Sequence, residues 1–205
     1  FMEINPVAQH GRFTISGWIS ENCVFTPNRG KAADEFGVKA EAIQGIAEVL
    51  IPILRQLFDT CRQQNTVPDH CKCGVLSSIP KKNKPAEILD NHRGITVNTT
   101  IGKILEHMIL NRIKPIQAEK QAPVQFGFTP NLSPSMATLL ITEAAVEARE
   151  EKVPLWVVTL DARKAFDTVD HNSLLRKLHL LGINGKLLAL IDNLYQGMVT
   201  AVIWK

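Results

Sequence analysis

Val157-Val158-Thr159-Leu160-Asp161-Ala162-Arg163-Lys164-Ala165-Phe166-Asp167-Thr168-Val169-Asp170-His171 is the stretch on which the reading of the fold turns. The run 155–160 is continuously apolar, rich in β-branched residues and bounded by Pro154 and Asp161. That is the pattern of a strand buried on both faces, and it belongs at the centre of a sheet. A carboxylate at the end of such a strand sits at the rim of a low-dielectric core, which is costly unless it is paired or metal-bound. Phosphoryl and nucleotidyl transfer use carboxylates so placed to hold Mg²⁺, a hard cation that prefers oxygen ligands. Two other readings stay open for Asp161: an ion pair with Arg163 or Lys164, and the aspartyl nucleophile of a phosphohydrolase. Asp170 reads as the N-cap of a helix beginning at His171.

Outward from this stretch, the spacing predicts helices over 171–181, closed by Gly182, and from 184 to about 196, closed by Gly197. A strand-like run at 200–204 follows. Upstream, Ser133-Pro134 supplies an N-cap and a first-turn proline for a helix running through Met136, Leu139, Leu140 and Ala144 to about Glu151. Ile101, Ile104, Leu105, Met108 and Ile113 mark another helix, ending near Pro115. Residues 75–79 read as a strand stopped by Pro80, and 94–97 as a second short strand, with the basic turn Lys81-Lys82-Asn83-Lys84-Pro85 between them. From 40 to about 64, Ile43, Ile46, Leu50, Ile53, Leu54, Leu57 and Cys61 follow helical periodicity, and Pro52 should kink or split that helix. Residues 1–39 carry Gly11, Pro27, Gly30 and Gly37 without sustained periodicity and read as an irregular leading segment. Helices and strands alternate without a regular βαβ cadence, so the class is α+β.

A composition of 45% hydrophobic and 21% charged residues, with four cysteines in 205, excludes fibrous, low-complexity and disulfide-dense classes. The longest strongly apolar run, 154–160, is far short of the ~20 residues of a membrane-spanning helix, and no secretion signal opens the chain. An intracellular setting, nuclear or cytoplasmic, is the expectation. His70, Cys71 and Cys73 invite a metal reading, but the cysteine spacing is not that of a zinc site. Net charge is +3, and its distribution is uneven. Residues 71–120 hold nine Lys or Arg against four Asp or Glu, while 1–70 and 121–205 are slightly acidic and neutral. Such a block suits a polyanion, either a phosphate chain or nucleic acid, or forms a solvated face. The chain begins at Phe1 and stops inside an apolar run at Lys205, so both ends read as cuts.

Residues 160–171 closely resemble the first catalytic palm motif of reverse transcriptases from non-LTR (LINE-type) retrotransposons. Other stretches resemble that family's fingers motifs in the expected order: Ile79-Pro80-Lys81-Lys82-Asn83-Lys84-Pro85, Asn91-His92-Arg93-Gly94-Ile95-Thr96, Ile101-Gly102-Lys103-Ile104-Leu105-Glu106 and Leu110-Asn111-Arg112-Ile113-Lys114-Pro115. Gln125-Phe126-Gly127-Phe128 resembles the template-side motif, and 31–38 a worn form of the opening motif. The resemblance spans 31 to about 195 and implies right-hand fingers (40–152) and the N-terminal part of a palm (153–205), an incomplete antiparallel sheet packed with helices. It implies nucleotidyl transfer of dNTPs to a DNA primer 3′-hydroxyl on an RNA template. Asp161, with the carbonyl of Ala162, would be a ligand of two Mg²⁺ ions. Arg93, and Lys81 or Lys82, would clamp the triphosphate, and Ala165, Phe166 and Gln125 would line the nucleotide pocket, Phe166 as a gate against a ribose 2′-hydroxyl. Gly127 and Phe128 would face the template. On packing grounds alone, Phe128 reads equally as a core aromatic, and a core role is the alternative for Phe166.

The chain departs from the pattern at several places. Ala162-Arg163 follows the aspartate, His92 stands for an aromatic, Asn131 for a glycine and Pro134 for a threonine. No Asp-Asp pair occurs in the 205 residues, so the family's aromatic-x-Asp-Asp motif is absent from them, and the C-terminal palm and thumb are expected to be missing. The alternative within the resemblance is a nucleic-acid-binding remnant without catalysis.

Overall fold

The basic turn joins two strands as expected. In the computed structural model, which describes residues 22–203 apart from 26, 28 and 86, β1 (Cys73–Pro80) and β2 (His92–Asn98) are antiparallel, with Val75 opposite Val97 and Ile79 opposite Arg93. β3 (Val199–Ile203) lies on the other side of β1 in parallel register, Cys73 opposite Val199 and Ser77 opposite Ile203. The order is β2-β1-β3. The sheet is therefore mixed rather than antiparallel throughout, and its centre is β1.

Residues 155–160, expected at that centre, form no strand. They run without ladder partners among the described residues and are exposed, Trp156 by 88% and Leu160 by 94%. An apolar β-branched run carries the disposition to pair, but a strand exists only where a second backbone supplies the hydrogen bonds. Here both sides of β1 are already taken by β2 and β3.

The helical layer consists of α1 (Asn22–Phe25), α2 (Ala40–Gly45), α3 (Ala47–Gln64), α4 (Thr100–Lys120), α5 (Pro134–Glu150), α6 (His171–Leu180) and α7 (Gly185–Tyr195). The expected split in 40–64 occurs at Ile46, with φ −115°, directly after Gly45, and not at Pro52, which lies inside an unbroken α3. Glycine is the weakest helix former short of proline, so the chain breaks six residues before the proline. α4 likewise continues through Pro115 to Lys120, five residues past its expected end. Pro115 and Asn111, whose carbonyl loses its donor, are both exposed, and water can serve that carbonyl. Gly182 and Gly197, both with positive φ, follow α6 and α7 as expected.

The core gathers Leu54, Phe58 and Cys61 of α3, Ile104, Leu105 and Met108 of α4, and Leu190 and Ile191 of α7, with Val24, Ile43, Val67 and Ile183. Asn193 of α7 accepts from the Val67 N–H at 2.7 Å, fastening α7 to the segment after α3. Within α5 Ala148 is the one buried residue, and Leu139, Leu140 and Ile141 are exposed. The apolar stripe of α5 is thus left largely exposed. Ser133 takes the N-cap position with extended backbone, but its side chain makes no capping bond.

The leading segment is tied to the start of α4. Asp34 accepts from the N–H groups of Phe36 (3.1 Å) and Val38 (2.9 Å) on one oxygen and of Thr100 (2.8 Å) on the other. Burial would raise the Asp34 carboxyl, but the hydrogen bonds from Thr100, Val38 and Phe36 outweigh it and hold it below the usual value of 3.8. At the same helix start, Thr99 caps α4 by accepting from the Gly102 N–H at 3.1 Å. A Cβ on Gly102 would come within 2.7 Å of Thr99 Oγ1 and 2.8 Å of the Cys71 carbonyl oxygen. Cys71 is buried, and burial, followed by the nearby Cys61 and Cys73, pushes its thiol up to about 11. None of the four cysteines is in a disulfide.

Three substitutions test these features. Gly102→Ala should cost about 1–3 kcal/mol in urea unfolding, because backbone has to move. Gly45→Ala, a helical position with nothing within 4 Å of an added Cβ, should be neutral or gain up to about 1 kcal/mol. Asp34 has a lower pKa folded than unfolded, so its contribution is present above 3.8 and is lost as pH falls through the still lower folded value. The melting-temperature gap between wild type and Asp34→Asn should accordingly be constant from pH 5 to 7 and shrink below about pH 4.

Candidate functional site

The turn between β1 and β2 is closed by its own polar groups. The Lys81 N–H donates to the Asn91 carbonyl at 2.7 Å, Lys81 Nζ to the Asp90 carbonyl at 2.9 Å, and Asn91 Nδ2 to the Pro85 carbonyl at 2.9 Å. Lys82 is exposed on the turn, next to Asn83 in the left-handed region at φ 62°. Arg93 follows on β2 as an exposed residue. The hairpin therefore carries Lys81, Lys82 and Arg93 at one end of the sheet.

Asp161 and Ala162 lie in exposed, non-helical chain, and residues 163–168 form a turn. Lys164 enters the left-handed region at φ 51°, and its carbonyl accepts from the N–H groups of Asp167 (2.9 Å) and Thr168 (3.1 Å) and from the Thr168 hydroxyl (3.1 Å). Arg163 and Lys164 do not pair with Asp161. Arg163 Nη2 lies 2.7 Å from Asp90 Oδ2, and Lys164 Nζ 2.9 Å from Asp90 Oδ1. Lys164 first, then Arg163, hold the Asp90 carboxyl below its usual range. Two segments more than seventy residues apart are thus joined ionically. Asp90 was not singled out by sequence reasoning. The available signal was that it and Glu87 are the only acids between 71 and 105, amid basic residues.

A third segment comes from the loop after α4. Gln125 Nε2 donates to the Gly127 carbonyl at 3.0 Å, and the Thr129 hydroxyl to the Gln125 carbonyl at 2.7 Å. This folds the loop so that Phe128, at φ 58°, points outward. Its ring meets that of Phe166 edge-on, with centroids 6.2 Å apart and planes at 88°. Phe128 is 92% exposed and Phe166 81%, so neither is a core aromatic. Ala165 is exposed beside Phe166. The structure therefore brings the 161–168 turn against both the β1–β2 turn and the 125–128 loop. The Gln125 side chain itself turns back onto its own loop.

Asp170 accepts from the Ser173 N–H at 2.8 Å and caps α6, as expected. His70 packs edge-on against Phe36 at 5.0 Å. Among the described residues no group of three His, Cys, Asp or Glu could hold a metal ion, which includes the His70–Cys73 stretch. For a pair of hard cations, several oxygen ligands must offset dehydration and mutual repulsion. Asp161 brings one carboxylate and Ala162 one carbonyl, so the residues of this chain do not by themselves fit a two-metal site. Among the described residues no helix is long and apolar enough to cross a membrane.

The reverse transcriptase (RNA-dependent DNA polymerase) family matches residues 79–204, which is more than half of the chain and includes all three segments of the site. The chain belongs to the reverse transcriptase family. It is 32% identical over 169 residues to an RNA-directed DNA polymerase from mobile element jockey of Drosophila funebris, covering 82% of this chain and 18% of that protein. It is 33% identical over 110 residues to the Pol polyprotein of the type-1 retrotransposable element R2 of Popillia japonica, covering 54% and 15%. The transposon TX1 149 kDa protein of Xenopus laevis is 27% identical over 159 residues, covering 78% and 12%. These relatives belong to non-LTR retrotransposons, and the chain spans less than a fifth of the length of each. The reverse transcriptase family generally uses divalent metal ions and acts on a nucleic-acid template and primer.

The exposure of the two rings has a measurable consequence. Phe128→Ala and Phe166→Ala should each change unfolding free energy by about 0.5 kcal/mol or less, as surface substitutions do. Phe58→Ala, at a buried site in α3, should cost about 3–5 kcal/mol.

Proposed function

We propose that this chain is the fingers and the first part of the palm of a non-LTR retrotransposon RNA-directed DNA polymerase, with boundaries near 40 and 153. The observation that carries the reading is the family match over 79–204, which holds the basic hairpin, the 125–128 loop and the Asp161 turn in one frame. In the working polymerase, dNTPs are joined to a DNA primer 3′-hydroxyl on an RNA template, and bound Mg²⁺ supplies the charge that this chemistry requires. Within this chain, Asp161 would hold that metal by one carboxylate and Ala162 by a backbone carbonyl, the remaining ligands coming from outside these residues. Lys81 and Lys82 act as point charges on the triphosphate, and the planar fork of Arg93 engages its oxygens bidentately. Phe166, in edge-on contact with Phe128 and flanked by Ala165, presents an aromatic edge where a ribose 2′-hydroxyl would lie, Gln125 lines the nucleotide pocket, and Gly127 and Phe128 face the template. The solvent-facing positions of Lys82, Arg93 and Phe166 support access by a ligand.

A second reading, nucleic-acid binding without catalysis, is favoured by the single carboxylate of the site and the basic 71–120 block.

Two assays separate the readings. The 205-residue chain alone should not extend a primed RNA template with dNTPs and Mg²⁺; extension abolished by Asp161→Ala would overturn the one-carboxylate argument. The transcript should then be read across Lys205. An open frame reaching an aromatic-x-Asp-Asp within ~100–200 residues, whose product loses primer extension on Asp161→Ala, supports the polymerase. RNA affinity that falls steeply with salt and is indifferent to Asp161→Ala, with no such frame, supports the binding remnant.

A further inference from the structure

Asp90 is engaged by two different cations, one on each oxygen: the Arg163 guanidinium at 2.7 Å and the Lys164 ammonium at 2.9 Å. A planar guanidinium and a point-charge ammonium converging on two oxygens of one anion is the donor set that recognises phosphate, and a carboxylate is its nearest side-chain equivalent. All three side chains are at least half exposed. An ion pair of that kind is screened by water and contributes little to folding, so exchange of Asp90 for an outside anion costs the protein little.

The backbone under the cations does not depend on Asp90. The Lys164 carbonyl holds the turn through Asp167 and Thr168. On the other side, Lys81 Nζ is bonded to the Asp90 carbonyl rather than to its carboxylate, with Lys82 beside it. A released Asp90 carboxylate would therefore leave Arg163 and Lys164 open to an outside anion.

We propose that Arg163 and Lys164 form a phosphate-binding pair, and that Asp90 holds this pair until the phosphate chain of a nucleotide displaces its carboxylate. The inference rests on the nucleotide-handling reading above, and it adds to Lys81, Lys82 and Arg93 a second pair of phosphate contacts and an internal competitor. Its signature is a gain of binding on removing an ion-pair partner.

The test is calorimetric titration of the 205-residue chain with sodium tripolyphosphate in metal-free, low-salt buffer. Asp90→Asn and Asp90→Ser should each tighten binding by roughly two- to five-fold, the factor an exposed ion pair commands. Arg163→Gln/Lys164→Gln should weaken binding by at least as much, and adding Asp90→Asn to that double variant should change nothing. Equal or weaker binding by both Asp90 variants at unchanged melting temperature overturns the proposal, as does a gain that persists without the two cations or an absence of binding in every variant. The titration involves no template, primer or Asp161. Failure of the polymerase reading, seen as extension indifferent to Asp161→Ala, is therefore distinguishable from failure of this one.

Discussion

The buried start of α4 is the joint on which the other elements depend. β2 ends at Asn98 and α4 begins at Thr100, so strand and helix directions are coupled through a single residue, Thr99. The Thr99 hydroxyl caps the helix, Gly102 lets the Cys71 carbonyl approach to a distance no side chain permits, and Asp34 takes the Thr100 N–H from the leading segment. One turn later Ile104, Leu105 and Met108 enter the core with α3 and α7. The sheet is thereby set against the helices before any contact between layers is counted. β3 completes the arrangement, since it follows α7 and pairs with β1 beginning at Cys73, two residues beyond the Cys71 carbonyl that Gly102 admits.

The candidate site is built on a different principle. Its three segments are held by an exposed ion pair, an edge-on contact between exposed rings, and hydrogen bonds local to each turn. None of the 161–170 side chains is buried. Buried packing is concentrated in the helical body, and the residues proposed to meet nucleotide and template lie outside it, where binding segments are commonly drawn from.

Helix and hairpin positions were legible because their signals are local. Periodicity placed α3, α4, α6 and α7, the glycines at 182 and 197 marked helix ends, and the two prolines around the basic turn bracketed the β1–β2 hairpin. Reading failed where the deciding partner is remote. Pro52 and Pro115 carry a strong local penalty, yet the helices run through them because neighbouring turns pack on the core. Nothing in the chain's order announces that β3 will take the free side of β1, which displaces the 155–160 run from the centre of the sheet. At the site, the motif series named segments that the fold brings together, but the Asp90 contact was not legible, since an acid in a basic block reads as solvation until the 163–164 turn is folded against it.

Asp161 shows how much of its chemistry belongs to its surroundings rather than to its carboxyl group. At the rim of a paired, buried strand it would be poorly solvated, and a divalent cation would be the favourable way to satisfy it. On the exposed 155–160 run it is in water, where opposite charges attract with a small fraction of their low-dielectric energy and Mg²⁺ keeps its hydration shell. A single solvated carboxylate competes poorly with that shell. Only a ladder on this run would desolvate the carboxylate and make a cation the favourable partner; unpaired and exposed, the run leaves Asp161 to water. The solvation of Asp161 thus follows from the unpaired run on which it sits, and not from the carboxyl group itself.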